Sequence, residues 1–157
     1  MRNLLGNPYP YTSVFYLLAP LLVSAVSAVL SVMVWLKARK NPAGRMLFRI
    51  LVSMGLWGVL IFIMRSSPDP ASALIWDRVQ GIPNYAVWVF FYHFTLIYTD
   101  KYGQSFILIF SYLLLILITI LSFTDTLVTH VEARPYGYAA VTTPLAMIIF
   151  SLSFVLI

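Results

Sequence analysis

Residues 14–36, VFYLLAPLLVSAVSAVLSVMVWL, are 23 consecutive positions without a charged side chain. A helix needs about 20 mostly apolar residues to cross the hydrocarbon core of a bilayer, which is about 30 Å thick. The run is too long for the apolar part of a typical secretory signal peptide, and its charges follow it rather than precede it. It therefore predicts a retained first membrane span.

Four further apolar runs follow along the chain, at residues 46–64, 82–98, 106–123 and 139–157. They are continuously apolar, whereas the strands of a membrane β-barrel alternate between apolar and polar residues. A helix in lipid also satisfies its own backbone hydrogen bonds. We therefore predict an all-α, polytopic transmembrane helix bundle with about five spans, in which residues 1–157 form one membrane domain. Because the fifth run ends with the chain, we expect this domain to be incomplete.

The composition agrees with a membrane protein. Apolar residues make up 61% of the chain, charged residues 10%, and the mean hydropathy is +0.91. A soluble domain has about a quarter charged residues, enough to cover its surface. The net charge of +5 does not indicate a nucleic-acid binder, because the basic residues lie between apolar runs rather than along a solvated face. The absence of cysteine excludes disulfides and thiol nucleophiles.

Half of the ten basic residues lie in one segment, KARKNPAGRMLFR at residues 37–49. Lysine and arginine in short loops tend to stay on the cytoplasmic side. The first connection is therefore predicted to be cytoplasmic and the N-terminus extracellular, in a multi-pass plasma-membrane protein. Residues 65–81 and 124–138 then form outer loops, and residues 99–105 an inner loop. The lipid bilayer is the expected partner, and anionic inner-leaflet lipids should attract the basic cluster, Lys37, Arg39, Lys40, Arg45 and Arg49.

The outer segment after the second span contains a helix start. Asp69 suits the N-cap and Pro70 the first helical position. Residues 71–79 then form either a short amphipathic helix on the membrane surface or an extension of the third helix, kinked near Pro83.

Polar side chains in and beside the spans are the candidates for sensing. Ionisable groups within a membrane are often functional, although a neutral histidine that hydrogen-bonds to another helix is a structural alternative for His93. Serines of the first span and glycines of the second favour close helix packing. The candidate ligand or sensing residues are His93, Arg65, Trp57, Asp77, Arg78 and Asn84.

Catalytic and metal-binding patterns are missing from the sequence. There is no glycine-rich phosphate loop, serine elbow or pair of carboxylates. His130 and Glu132 share a loop with Asp125, but a metal site needs three or four well-placed ligands. We therefore expect no catalytic residues, metal or cofactor, and no enzyme activity in this chain.

Several short motifs occur in a characteristic order. Asn41-Pro42-Ala43-Gly44-Arg45 opens the second span, which contains Trp57, and a Ser-Pro-Asp-Pro turn leads to Leu74–Gln80, LIWDRVQ. The third span ends in Phe94–Thr99, FTLIYT, and Pro135–Tyr138, PYGY, precedes the fifth run. This order resembles the N-terminal seven-transmembrane sensory region of bacterial and archaeal histidine kinases. The resemblance implies an outside N-terminus, seven spans and cytoplasmic output modules such as a PAS domain and a kinase core.

The leading hypothesis is therefore a membrane sensory input region of a signal-transducing protein, expected to be a histidine kinase of a two-component system. It would relay an extracellular or intramembrane stimulus to a cytoplasmic output domain, with a homodimer among the expected assemblies. Two alternatives remain: a fragment of a transporter or channel with His93 and Thr142-Thr143-Pro144 near the pathway, and a small structural membrane protein.

Overall fold

The computed structural model describes residues 10–101 and 105–156. Within them the chain forms five helices and a two-stranded sheet. These elements are α1 (Pro10–Ala38), α2 (Pro42–Arg65), α3 (Pro70–Tyr98), α4 (Ser105–Ser122), β1 (Val128–Arg134), β2 (Gly137–Thr142) and α5 (Pro144–Leu156). Two stretches, Val14–Ala38 and Pro42–Arg65, are long and apolar enough to cross a membrane, and Phe106–Ser122 is a shorter apolar helix. Residues 102–104 of the predicted inner loop and Ile157 of the predicted fifth span lie outside the described residues.

Polar caps fix the starts of α2 and α3. The Asn41 side chain accepts a hydrogen bond from the backbone N–H of Ala43 at 3.0 Å, and Pro42 occupies the first turn. Asp69 accepts from both the backbone N–H and the hydroxyl of Ser72, at 2.9 and 2.8 Å. The backbone hydrogen bond from Ser72 is the main reason that the pKa of Asp69 lies below its usual value. Both caps provide acceptors for helix N–H groups that have no carbonyl partner.

The third helix is longer than the predicted third span. α3 runs without interruption for 29 residues from Pro70 and includes Pro83. Residues 71–79 are therefore the extension of this helix, not a separate helix on the membrane surface. Ala73 in the extension is fully buried, in a cluster with Met64 of α2 and Val131 of β1. This packing holds the first turns of α3 in place beyond the predicted span.

A β-hairpin occupies the last predicted outer loop and the start of the fifth apolar run. β1 and β2 are antiparallel, with His130 opposite Val141 and Arg134 opposite Gly137. The prediction that a helix begins at residue 139 is wrong, because α5 begins at Pro144. The Thr143 hydroxyl accepts a hydrogen bond from the Ala146 N–H at 3.2 Å, and proline suits the first helical turn. The fold is thus a helical bundle with one hairpin, rather than purely α-helical.

Small residues bring α1 and α2 together. The Ser24 hydroxyl lies 2.9 Å from the carbonyl oxygens of both Pro20 and Gly55, and it donates to them. A Cβ atom on Gly58 would lie only 2.5 Å from the Pro20 carbonyl oxygen. Such contacts through serine and glycine are typical of helix pairs in membranes, where close packing replaces the hydrophobic effect.

Successive helices run in opposite directions and define two ends of the bundle. α1 packs on α2, α2 on α3, and α3 on α4, while the hairpin contacts α2 and α3. We call the end with residues 65–70 and 123–143 the hairpin end, and the end with residues 37–49 and 99–101 the basic end. The five basic residues of the cluster predicted from the sequence are exposed at the basic end.

The outward faces of the helices are apolar. Large apolar side chains there are exposed, including Leu22 at 64%, Leu36 at 72% and Phe106 at 80%. A soluble monomer rarely exposes apolar patches of more than a few hundred Å². The surface therefore matches a lipid environment around the bundle.

Candidate functional site

A pocket of about 130 Å³ lies at the hairpin end. Its walls come from α3, the end of α4, the hairpin and the first turn of α5. Polar side chains line the α3 side, and an apolar wall faces them. The polar lining from α3 is Asp77, Arg78, Gln80, Asn84 and Tyr85, and the apolar wall is Leu127, Val128, Ala140 and Ala146. The pocket adjoins a buried cluster of Tyr85, Ile118, Leu127 and Ala146, which joins α3, α4 and α5.

Asp77 is the buried carboxylate of this pocket. The residue is only 5% exposed, and its Oδ1 accepts a hydrogen bond from Gln80 Nε2 at 2.9 Å. Burial raises the pKa of Asp77, while the hydrogen bond from Gln80 and the positive charge of Arg78 oppose that rise. Perturbed carboxylates in clefts are candidates for functional sites.

Arg78 lies at the rim and forms an ion pair with Asp125, in the connection between α4 and β1. The Arg78 side chain is 20% exposed and that of Asp125 is 82% exposed. Because water screens such a pair, it adds little stability. Its structural effect is to tie the α4–β1 connection to α3 beside the pocket.

Arg65, another of the sensing candidates, lies apart from Asp77 and Arg78 and takes part in a different contact. Its guanidinium donates to the carbonyl oxygen of Tyr16 in α1 and lies 5.4 Å from the ring centroid of Tyr136 in the hairpin turn. The rings of Tyr16 and Tyr136 are 5.6 Å apart. Arg65 therefore connects α1, α2 and the hairpin through hydrogen bonding and a cation–π contact.

His93 lies away from the pocket, between α3 and α4. Its Nδ1 is 2.9 Å from the hydroxyl of Tyr112, and the two rings meet edge to face with centroids 5.9 Å apart. This is the interhelical hydrogen bond expected of a structural histidine, and it also holds α3 and α4 in register. Trp57 is half-buried in α2 and does not line the pocket.

The other ionisable cluster belongs to β1. His130 Nε2 lies 3.9 Å from Glu132 Oε1, and Arg134 donates to Glu132 Oε2 at 2.6 Å. Across residues 10–101 and 105–156, no group of three or more His, Cys, Asp or Glu side chains is arranged to hold a metal ion. These side chains form a charged, largely exposed strand surface.

The pocket combines residues that the sequence singled out with others that it did not. Asp77, Arg78 and Asn84 were predicted candidates and do line it. Gln80 was missed, although its spacing of three residues from Asp77 places both on one helix face. Thr142, noted from the sequence only as part of a possible pathway before Pro144, also lines the pocket. Ala146 was missed because its position depends on the hairpin, which the apolar pattern did not predict.

Comparison with protein families gives one match over most of the chain. The model of the N-terminal 7TM region of histidine kinase matches residues 19–157. Comparison with curated proteins gave no match. Comparison with solved structures also gave none. The match begins in the third turn of α1 and includes α2 to α5, the hairpin and the pocket. The chain therefore belongs to the family of N-terminal 7TM regions of histidine kinases, the membrane-embedded sensory input part of these proteins rather than a catalytic domain.

Proposed function

We propose that this chain senses a stimulus at the hairpin end and relays it through the bundle to a cytoplasmic kinase module of the same protein. The observation that supports this most directly is the pocket, which is lined by α3, α4, α5 and the hairpin at once. A ligand there contacts several elements whose relative packing it can change. Such a ligand acts as a signal only if it binds two packing states unequally.

The proposed orientation has the hairpin end outside the cell and the basic end in the cytoplasm. The exposed basic cluster, Lys37 to Arg49, lies at the basic end, and the positive-inside tendency supports a cytoplasmic location for it. The N-terminus is then extracellular, and anionic lipids of the inner leaflet contact the cluster.

We further infer that α3, α4 and α5 cross the bilayer with α1 and α2, so that residues 1–157 act as one membrane unit of about five spans. The apolar exposed faces of α4 and α5, with Phe106 at 80% and Met147 at 60%, support this. The 29-residue α3 is long enough to cross and to project beyond the lipid at the hairpin end. A homodimer remains a prediction.

The orientation is tested by cysteine labelling, because the natural chain contains no cysteine. Single variants Ala133→Cys, exposed in the hairpin, and Arg39→Cys, exposed in the basic cluster, form a matched pair. A membrane-impermeant maleimide added to intact cells should label Ala133→Cys and should label Arg39→Cys only after permeabilisation. The reverse pattern would contradict the proposed orientation.

The sensory role is tested on the full-length protein in lipid nanodiscs by measuring autophosphorylation. Asp77→Asn, in the pocket, should change basal or stimulus-dependent autophosphorylation. Asp100→Asn, exposed at the basic end, makes the same chemical change far from the pocket. If both variants phosphorylate like the wild type under every stimulus that changes the wild type, the hairpin-end pocket is not the sensory site.

A further inference from the structure

The charge of Asp77 has no ion-pair partner in the part of the chain that the structure describes. Ion pairs there join Arg78 to Asp125 and Arg134 to Glu132, and His130 also lies near Glu132, but none of these contacts includes Asp77. The positive charge of Arg78 acts on Asp77 only from a distance, and a buried carboxylate without a cation in direct contact is costly unless it is neutralised or bound by a ligand. The pocket thus offers a negative group that is available to a positively charged ligand.

Asp77 accepts a hydrogen bond from Gln80, but two other polar atoms of the pocket are buried without a hydrogen-bond partner among the described residues. They are Gln80 Oε1 and Arg78 Nε. The orientation of the Gln80 amide follows from chemistry, because an ionised Asp77 only accepts and so must face the NH₂ group. Gln80 Oε1 therefore remains an acceptor, and Arg78 Nε remains a donor. Leaving such groups unsatisfied is unfavourable, so each one requires an explanation.

The pocket limits the size and the shape of a ligand. Its volume is about 130 Å³, and a cavity of about 150 Å³ holds one benzene molecule. A ligand of about six non-hydrogen atoms therefore fits. Leu127, Val128 and Ala146 form an apolar wall opposite the polar groups, which suits a short carbon chain between two polar ends.

We propose that the pocket binds a small zwitterion with a protonated amine and a carboxylate. The amine donates to Asp77 and Gln80 Oε1, and the carboxylate accepts from Arg78 Nε. Guanidinium has five donors, so the ion pair with Asp125 leaves Nε free for a ligand. Binding of a zwitterion does not depend on the proposed function. Only its signalling consequence rests on that function, in which case small zwitterions are the class of stimulus.

The same arrangement discriminates against ligands with a single charge. An acid without an amine meets the negative charge of Asp77 and leaves Gln80 Oε1 unsatisfied. An amine without a carboxylate leaves Arg78 Nε unsatisfied. A site built for a polar group rejects an analogue that lacks it, because its own buried groups then remain unpaired.

The test is a titration of the full-length protein in nanodiscs with small probe ligands. Binding of each probe is measured by saturation-transfer NMR of the ligand. The probes are β-alanine, propylamine and propionate, which share a three-carbon chain and differ in their charged ends. β-Alanine should bind saturably, and the two singly charged probes at least about tenfold more weakly, since a charged hydrogen bond contributes about 1.5–3 kcal/mol, or roughly ten- to hundredfold. Empty nanodiscs correct for binding to lipid.

Three variants assign the contacts. Asp77→Asn should weaken β-alanine binding by about tenfold or more, because the charged acceptor is lost. Arg78→Lys keeps the positive charge beside Asp125 but removes Nε, and should bring the affinity for β-alanine close to that for propylamine. Asp100→Asn should bind like the wild type, since it is exposed at the other end of the bundle. Circular dichroism confirms that each variant is helical.

The outcomes separate the ligand from its signalling role. No saturable β-alanine binding, equal binding of all three probes, or unchanged binding in both Asp77→Asn and Arg78→Lys would overturn the zwitterion site. Binding that follows the expected pattern establishes the site even if autophosphorylation does not respond. That combination would contradict the proposed sensory function instead.

Discussion

Replacing Gly58 by alanine should push α1 away from α2. The new methyl carbon would lie 2.5 Å from the Pro20 carbonyl oxygen and in even closer contact with the Ser24 hydroxyl. The hydroxyl can rotate at the cost of its hydrogen bonds to α1 and α2, but a helix carbonyl cannot move alone. The two helices must therefore separate by at least several tenths of an ångström. Forcing an extra carbon into a packed interface costs about 1–3 kcal/mol.

Gly55→Ala is the matched control, since Gly55 lies one turn away and faces the same helix. Its added carbon would be 3.7 Å from the Ser24 carbonyl oxygen and the Ser27 Cβ, which is ordinary contact. Both variants gain up to about 1 kcal/mol of helix propensity, so this gain cancels in the comparison. Gly58→Ala should consequently be less stable than Gly55→Ala by about 1–3 kcal/mol.

The assay is reversible unfolding in mixed detergent micelles with increasing dodecyl sulfate, followed by tryptophan fluorescence. The unfolding midpoint of Gly58→Ala should lie below that of the wild type, and that of Gly55→Ala at or above it. Equal midpoints for the two variants would refute the close contact between Gly58 and Pro20 and, with it, the described packing of α1 on α2.

Three further changes have defined outcomes in the same unfolding assay. Burial raises the pKa of Asp77 above 3.8 in the folded state. The protonated carboxyl therefore contributes fully to stability below the pKa of the unfolded state. This contribution is lost as the pH rises through the pKa of the folded state. The unfolding midpoint of Asp77→Asn should therefore lie above that of the wild type at neutral pH, and the two midpoints should converge below pH 3.8. A difference between the midpoints that does not change with pH would contradict the burial of Asp77. Gly137→Ala should cost roughly 1–3 kcal/mol of stability, since Gly137 has a φ of +111° and an added Cβ would lie 2.8 Å from the Arg65 Cβ. Protease should also cut the hairpin of this variant faster. Protease resistance equal to that of the wild type would argue against the described turn. Tyr112→Phe removes the hydroxyl 2.9 Å from His93 and should cost about 0.6–1 kcal/mol of stability. In a protein that already carries His93→Phe, adding Tyr112→Phe should cause no further loss. Additive losses of the two substitutions would exclude the contact.

Much of the helical bundle follows from local sequence features. The uncharged run before Lys37 predicts α1, and Asn41-Pro42 and Asp69-Pro70 mark the starts of α2 and α3 through caps that the structure contains. The hairpin does not follow from such features. Residues 139–142 are apolar enough to continue a span, and what keeps them extended is pairing with Val128–Arg134, a contact between segments that hydropathy cannot register.

The candidate site was predictable only on its α3 side. Asp77, Arg78 and Asn84 are polar residues beside an apolar run, which made them candidates. The separation of Arg65 from this group was not predictable, because it depends on the positions of Tyr16 and Tyr136 from two distant segments. The apolar wall of the pocket likewise requires the hairpin and α5 to be in place.

The length of α3 has a mechanical consequence. At 1.5 Å per residue its 29 residues form a rod of about 44 Å, with Asp77 near one tip and Thr99 just past the other. A rod that is pressed sideways at one tip swings at the other, so a sub-ångström displacement beside Asp77 needs no chain of local rearrangements to reach the basic end of the bundle. The helix bends most easily at Pro83, because the proline nitrogen cannot donate a hydrogen bond to the preceding turn. A bend there would absorb the swing, and the stiffness of α3 at this residue then sets how much of the movement reaches the basic end.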